Sequence, residues 1–223
     1  MPSIKQEGSV WTLRNTKGNE LKVTADGARA VSMRFRDKNF TNRFLLKDSP
    51  VFVDGVASDI AWQGEQTDEG VKFTAEINGK PASIVYSLSN DNEISIRYEA
   101  QGVNDISTQF VFDAQILPDV DFRACQKGAA WEKISGAKNY PVTEPAEVMM
   151  EVGMFGYDPG CPIDYLESGL KNAANLFSDG ASIEIIVYAT QDNIVAEAVD
   201  GGFALKTSGA NKGQTVYMIK NRK

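Results

Sequence analysis

Histidine is absent from this 223-residue sequence. Imidazole is the commonest general base near neutral pH and the commonest transition-metal ligand in proteins. Catalysis by a Ser-His-Asp triad or by a Cys-His pair is therefore excluded. Proton transfer by this chain would have to use a carboxylate, a phenol or another side chain.

Cysteine is scarce, since the chain contains only Cys125 and Cys161. Neither cysteine lies in a CxxC or another spacing typical of metal ligands. A disulfide between them would stabilise the fold by roughly 3–4 kcal/mol in the chain-entropy model. The sequence favours two free thiols but leaves the pairing open. Asp119-Val120-Asp121 lacks the pattern of a calcium loop, so we expect no metal and no cofactor.

Long apolar runs and basic clusters are also missing. No run approaches the roughly 18 residues that span a bilayer, and the segment MPSIKQEGSV is not an apolar signal segment. We expect a soluble protein that is either cytoplasmic or exported with a signal peptide outside this sequence. The net charge of −7 argues against nucleic acid as a partner, because phosphate binding requires clustered Lys and Arg.

The sequence is rich in segments where apolar and polar residues alternate, a pattern typical of half-buried β-strands. Val71–Ile77 and Ser83–Ser89 flank Asn78-Gly79, which predicts a hairpin with a type I′ turn. Asp26-Gly27-Ala28-Arg29 separates two alternating runs and predicts a chain reversal. The other predicted strands are Val10–Arg14, Glu20–Ala25, Ala30–Arg36, Arg43–Lys47, Val51–Val53, Glu93–Ala100, Gln109–Phe112, Gln115–Leu117, Ala181–Thr190, Ile194–Val199, Gly202–Thr207 and Gln214–Lys220.

The middle of the sequence, roughly residues 118–180, is less regular. It holds five of the eight prolines and lacks sustained alternation. We expect long loops there and one short helix near Tyr165–Phe177. With no internal repeat and no linker, residues 1–223 are predicted to form one all-β domain, an antiparallel β-sandwich.

The order of these patterns resembles the galactose mutarotase-like family, the β-supersandwich of the aldose 1-epimerases. The resemblance begins with Trp11-Thr12-Leu13, the turn in RNTKGNELKVT and the corner in ADGARAVSMRF. It continues in the hairpin around Ser83–Tyr98, IVYSLSNDNEISIRYEA, and in the last strand, TVYMIKN at Thr215–Asn221. The motifs lie at both ends and in the middle, so the resemblance spans the chain.

The resemblance implies a sugar-handling fold, and it also implies a departure in chemistry. The epimerases use a histidine as general acid and a glutamate as general base to open and close a sugar ring. One of their histidines follows the Tyr-x-Ala strand, where this chain reads NDISTQFVFDAQ at Asn104–Gln115. We therefore expect a saccharide ligand without standard epimerase activity.

Side chains that suit sugar binding are flat aromatics and planar polar groups. The candidate ligand-binding residues are Trp62, Trp131, Arg34, Arg36, Arg97 and Tyr157. For each of them a structural alternative exists. Trp62 and Trp131 suit the core as well as a binding site, and Trp11 suits the core better. The arginines suit a solvated strand face, and Tyr157 lies in a segment typical of a surface loop.

Two other classes of function remain open. A polysaccharide hydrolase or lyase would use carboxylates, arginine or a phenol, with Tyr140 or Tyr157 as the first proton-transfer candidates. The acidic pairs considered for this role are Asp113 with Asp119 and Asp121, Glu144 with Glu147, and Asp158 with Asp164. A structural sandwich that contacts a partner protein through exposed strands is the third class. The oligomeric state is not predicted.

Overall fold

The computed structural model describes residues 2–36, 42–113, 120–125, 134–135, 172–178, 183–190, 193–199 and 202–221. Within these ranges the regular structure consists of β-strands that pair antiparallel in three sheets. The predicted all-β class is confirmed. No described segment forms a helix long and apolar enough to cross a bilayer. That residues 1–223 are a single domain stays a prediction.

The largest sheet has nine strands and forms one layer of the sandwich. From one edge to the other its strands are β14 (Ile134–Ser135), β13 (Val120–Cys125), β15 (Asn172–Ser178), β16 (Ile183–Ala189), β19 (Lys212–Asn221), β11 (Glu93–Ala100), β10 (Lys80–Leu88), β9 (Val71–Ile77) and β8 (Gln63–Gln66). Its middle therefore joins strands from distant parts of the sequence.

Two five-stranded sheets form the other layer. The N-terminal sheet follows the chain order: β1 (Ser3–Glu7), β2 (Val10–Arg14), β3 (Glu20–Thr24), β4 (Arg29–Arg36) and β5 (Asn42–Phe44). The second sheet has the order β17 (Asn193–Val199), β18 (Gly202–Ser208), β12 (Ile106–Asp113), β6 (Val51–Val53) and β7 (Val56–Ala57). The segment between β5 and β6 makes a single bridge to each of the two sheets, from Ser49 to Ala30 of β4 and from Leu46 to Phe112 of β12.

The core lies on one face of the nine-stranded sheet. Trp11 of the N-terminal sheet packs edge-on against Phe73 of β9, with 5.3 Å between ring centroids. Phe110 of the second small sheet stacks on Tyr217 of β19 at 4.2 Å. Because alternate residues of a strand point to opposite faces, the other face of the nine-stranded sheet is left outside this core.

Two reversals predicted from sequence differ in what they do. Asn78 and Gly79 have φ angles of 53° and 70°, as a type I′ turn requires, and they join β9 to β10 as predicted. The Asp26–Arg29 corner reverses the chain between β3 and β4 as predicted, and it also contributes to the core, since Ala28 is fully buried and its carbonyl accepts a hydrogen bond of 2.8 Å from the Tyr86 hydroxyl. This corner is architectural.

The predicted short helix near Tyr165–Phe177 is wrong where it can be checked, because Asn172–Ser178 is strand β15. Its sequence, NAANLFS, has little apolar alternation. Pairing with β13 on one side and β16 on the other places it in the sheet, and such tertiary context overrides local propensity. Residues 165–171, the predicted strand Gln115–Leu117 and Cys161 lie outside the described residues.

Candidate functional site

The face of the nine-stranded sheet that points away from the core carries ordered rows of side chains, nearly all of them polar. The strand register aligns a first row and a second row across β8, β9, β10, β11 and β19. The first row is Gln63, Thr74, Ser83, Glu99 and Lys212, and the second row is Glu65, Lys72, Val85, Arg97 and Gln214. We call these ten residues the open face.

A depression of about 360 Å³ lies where β10, β11 and β19 cross the open face. Arg97 and Gln214, which are register partners, line it together with Ser83 and Glu99. Lys212 and Thr190 also line it. This central depression thus combines a guanidinium, a carboxamide and hydroxyl groups, all of which hydrogen-bond readily to hydroxyl-rich ligands.

A second depression of about 260 Å³ lies beside the first, towards the turn between β9 and β10. Ser83 and Glu99 line both depressions. We call this second depression the hairpin depression. Its lining also includes Thr74, Pro81 and Gln101. The two depressions are therefore neighbours along the open face.

Gln214 is held in place by its surroundings. Its carboxamide nitrogen donates to the Ser95 hydroxyl at 2.8 Å, which fixes the plane of the side chain. Its backbone N–H donates to Thr190 Oγ1 at 2.8 Å, and Thr190 N–H donates to the Gln214 carbonyl at 2.9 Å. A fixed amide presents its remaining polar groups to a ligand with little loss of rotamer freedom.

Ion pairs balance the charge of the open face. Arg97 pairs with Glu69, which lies in the turn that precedes β9. Lys212 Nζ lies 3.1 Å from Glu99 Oε2, and Lys72 Nζ lies 3.8 Å from Glu65 Oε1. These partly exposed pairs add little stability, but each leaves a cation next to a carboxylate. The face therefore suits a neutral ligand better than an anion.

Two of the described core phenols do not supply an acid or base for this face. Tyr86 and Tyr217 are fully buried, and burial raises the pKa of both hydroxyls well above the usual value. Among the described residues no group of three or more Cys, Asp or Glu side chains is arranged to hold a metal ion. Tyr140 and Tyr157 lie outside the described residues.

The arginines predicted from sequence separate into two sheets. Arg97 lines the central depression. Arg34 lies in the N-terminal sheet, where its guanidinium pairs with Glu20, and Glu20 also lies 3.5 Å from Arg14. Arg36 is in the same strand, and its backbone N–H donates to Asn19 Oδ1 at 2.7 Å. The structure thus groups Arg34 with Arg36 but not with Arg97.

The aromatic residues predicted to bind a ligand contribute no ring to the lining described for the two depressions. Trp62 is 4% exposed and belongs to the core cluster, and its indole N–H donates to Ser58 Oγ at 3.4 Å. Of the two interpretations that the sequence left open for Trp62, this burial is typical of a core residue, and its role in binding stays a prediction. Trp131 and Tyr157 lie outside the described residues.

Sequence reasoning missed Gln214, Ser83 and Thr74. Each is a small or neutral polar residue on a strand, with no local motif to mark it. The available signal was their spacing: each lies at an outward position of an alternating strand, as Arg97 does. Only the register that pairs β11 with β19 brings Gln214 beside Arg97.

Solved structures that share this fold include an aldose epimerase homologue and a galactose mutarotase related enzyme. A GalM/aldose epimerase homologue from C. elegans superposes with a TM-score of 0.63 at 9% identity, and the match covers 100% of both chains. A Slr1438 protein from Synechocystis gives 0.56 at 9% identity and covers 100% of this chain and 96% of the other. A galactose mutarotase related enzyme from Lactobacillus acidophilus gives 0.51 at 11% identity, with 100% and 98% covered.

No family model and no curated protein matches the chain in sequence. The likeness to these proteins is therefore one of structure. At 9–11% identity the structural matches show the fold. The predicted mutarotase-like β-sandwich is confirmed.

Proposed function

We propose that this protein binds a saccharide in the central depression of the open face and does not carry out the usual histidine-dependent epimerase reaction. The observation that carries the proposal is the placement of Arg97 beside the fixed carboxamide of Gln214. A guanidinium and a carboxamide are planar groups whose donors can engage adjacent hydroxyls of one sugar ring.

The fold supports a saccharide as the ligand class. Structures that share it are described as an aldose epimerase homologue and a galactose mutarotase related enzyme. The balanced ion pairs of the open face further favour a neutral sugar over a sugar phosphate or a uronic acid. The absence of histidine from the whole chain removes the general acid on which ring opening depends in the epimerases.

Replacing Arg97 by alanine is expected to weaken saccharide binding by about tenfold or more, because one hydrogen bond to a charged donor contributes roughly 1.5–3 kcal/mol. Thermal stability should hardly change, since the ion pair with Glu69 is solvent-exposed. Affinity is measured by isothermal titration calorimetry against neutral aldohexoses and their methyl glycosides. A methyl glycoside cannot open its ring, so its binding reports recognition without epimerisation.

Arg14→Ala is the matched control. Arg14 is also a strand arginine next to a glutamate, but it lies in the N-terminal sheet. An equal loss of affinity in both variants would contradict the placement of the site at Arg97. Failure of the unaltered protein to bind any sugar of a broad neutral panel would contradict the proposed function itself.

A further inference from the structure

We propose that the ligand of the open face is a linear neutral oligosaccharide that occupies the central depression and the hairpin depression at once. This inference rests on the proposed function and extends it from a ligand class to a ligand length. The hairpin depression then serves as a second subsite, with Thr74 and Gln101 as its polar contacts.

Continuity between the two depressions is the first step. Ser83 and Glu99 line both of them, so the two depressions adjoin at this shared pair. Ser83 and Glu99 are register partners on β10 and β11. The first row therefore forms a line across the strands through both depressions, from Thr74 in the hairpin depression to Lys212 in the central one.

The length of this line is the second step. In the first row, Thr74, Ser83, Glu99 and Lys212 occupy four neighbouring strands. With about 4.8 Å between strands, the row from Thr74 to Lys212 extends for roughly 14 Å. That distance is longer than one sugar ring, and a single ring in the central depression would leave the hairpin depression empty.

The chemistry of the second depression is the third step. Thr74 provides a hydroxyl and Gln101 a carboxamide, and Pro81 provides an exposed apolar ring beside them. Polar groups next to an apolar surface match the two kinds of surface on a sugar, its hydroxyls and its C–H face. Lys72 and Glu99, the charged residues of this lining, each have an ion-pair partner of opposite sign. A neutral sugar unit fits this lining.

The test compares affinities along two series of equal linkage: glucose, cellobiose and cellotriose, and galactose, β-1,4-galactobiose and β-1,4-galactotriose. We expect the disaccharide of the series that binds to gain about tenfold over its monosaccharide, as one or two added neutral hydrogen bonds would provide. Thr74→Val, which keeps the branched shape, and Gln101→Ala should remove this gain and leave the affinity for the monosaccharide unchanged. Thr12→Val, in the N-terminal sheet, is the control.

The outcomes separate the two proposals. Equal affinities along a series that binds would overturn the second subsite and leave saccharide binding at Arg97 intact. A loss of monosaccharide affinity in Thr74→Val as large as the loss for the disaccharide would also overturn it. Absence of binding throughout both series would overturn the second subsite, and the proposed function falls with it when the broad neutral panel is also silent. Melting curves of each variant exclude unfolding as the cause of lost affinity.

Discussion

Gly70→Ala is expected to destabilise the protein by about 3–5 kcal/mol, which is a large part of the stability of an ordinary domain. Gly70 has a φ angle of +154°, a conformation that residues with a side chain rarely adopt. A methyl group built at this position would lie 2.0 Å from the carbonyl oxygen of Tyr86. Either effect alone would cost stability, and here they act on the same residue.

The backbone around Gly70 cannot easily relieve this clash. Tyr86 lies in β10 and is paired with Val71 of β9, directly after Gly70. Thr67 and Gly70 also exchange backbone hydrogen bonds of 2.8 and 3.3 Å across the turn. To make room for the methyl group, the protein would have to break either the turn or the start of the β9–β10 ladder.

Chemical denaturation with urea measures the effect, and Gly79→Ala provides the matched control. Gly79 also has a positive φ, of 70°, but a methyl group there would meet no atom within 4 Å. Its replacement should cost about 1–2 kcal/mol, the strain of a left-handed residue alone. Similar losses in the two variants would show that the contact with Tyr86 contributes nothing.

The sequence predicts those parts of the fold that are determined by neighbouring residues, and it misses those that depend on pairing with distant strands. The β9–β10 hairpin is predicted well because alternation and an Asn-Gly turn lie within one short segment. Strand β15 is missed because its place depends on pairing with β13 and β16, and not on its own apolar pattern. Non-local pairing leaves little signal in a single strand.

The candidate site shows the same limit. Arg97 could be selected from sequence, since it lies among outward-facing polar residues of one strand. Its partner Gln214 is more than a hundred residues away, and only the pairing of β11 with β19 brings them together. Trp62 has polar neighbours in sequence, yet its backbone N–H donates to the Ala25 carbonyl at 3.1 Å and its ring is buried. Long-range contacts decide both cases.

The segment Asn104–Gln115 also gains a different meaning in the structure. The resemblance places a catalytic histidine of the epimerases in the corresponding segment, and this sequence has none there. Here Ile106–Asp113 is strand β12, and Phe110 is buried in the core against Tyr217. This stretch therefore acts in packing the two layers together, while the groups proposed to bind sugar come from the opposite face of the nine-stranded sheet.

Asn15→Ala is expected to cost about 2–4 kcal/mol of stability, because it would leave several buried polar groups without their partner. Asn15 is 4% exposed and lies in the turn between β2 and β3. Its carboxamide nitrogen donates to the Ser89 carbonyl at 3.0 Å and to Asn92 Oδ1 at 3.1 Å. Its oxygen accepts from the backbone N–H groups of Lys17 at 3.1 Å and Asn19 at 3.0 Å.

Two of these four hydrogen bonds, those to Ser89 and Asn92, connect the two layers of the sandwich. Ser89 and Asn92 belong to the turn between β10 and β11, in the sheet that carries the open face. Asn19, which is 1% exposed, adds a further hydrogen bond to Asn92. Loss of the Asn15 amide should therefore loosen both turns at once, and not only the one to which it belongs.

Thermal unfolding of Asn15→Ala, Asn92→Ala and the double variant tests this coupling. If one network stabilises both turns, the double variant should lose less than the sum of the single losses, with a coupling of about 0.5–3 kcal/mol. Thr16→Ala is the control, since Thr16 is exposed and its hydroxyl donates to Asn90 at 3.1 Å. Thr16→Ala should lower the free energy of unfolding by no more than about 0.5 kcal/mol, as for most surface substitutions. Additive losses for Asn15 and Asn92 would show that the two turns are stabilised independently.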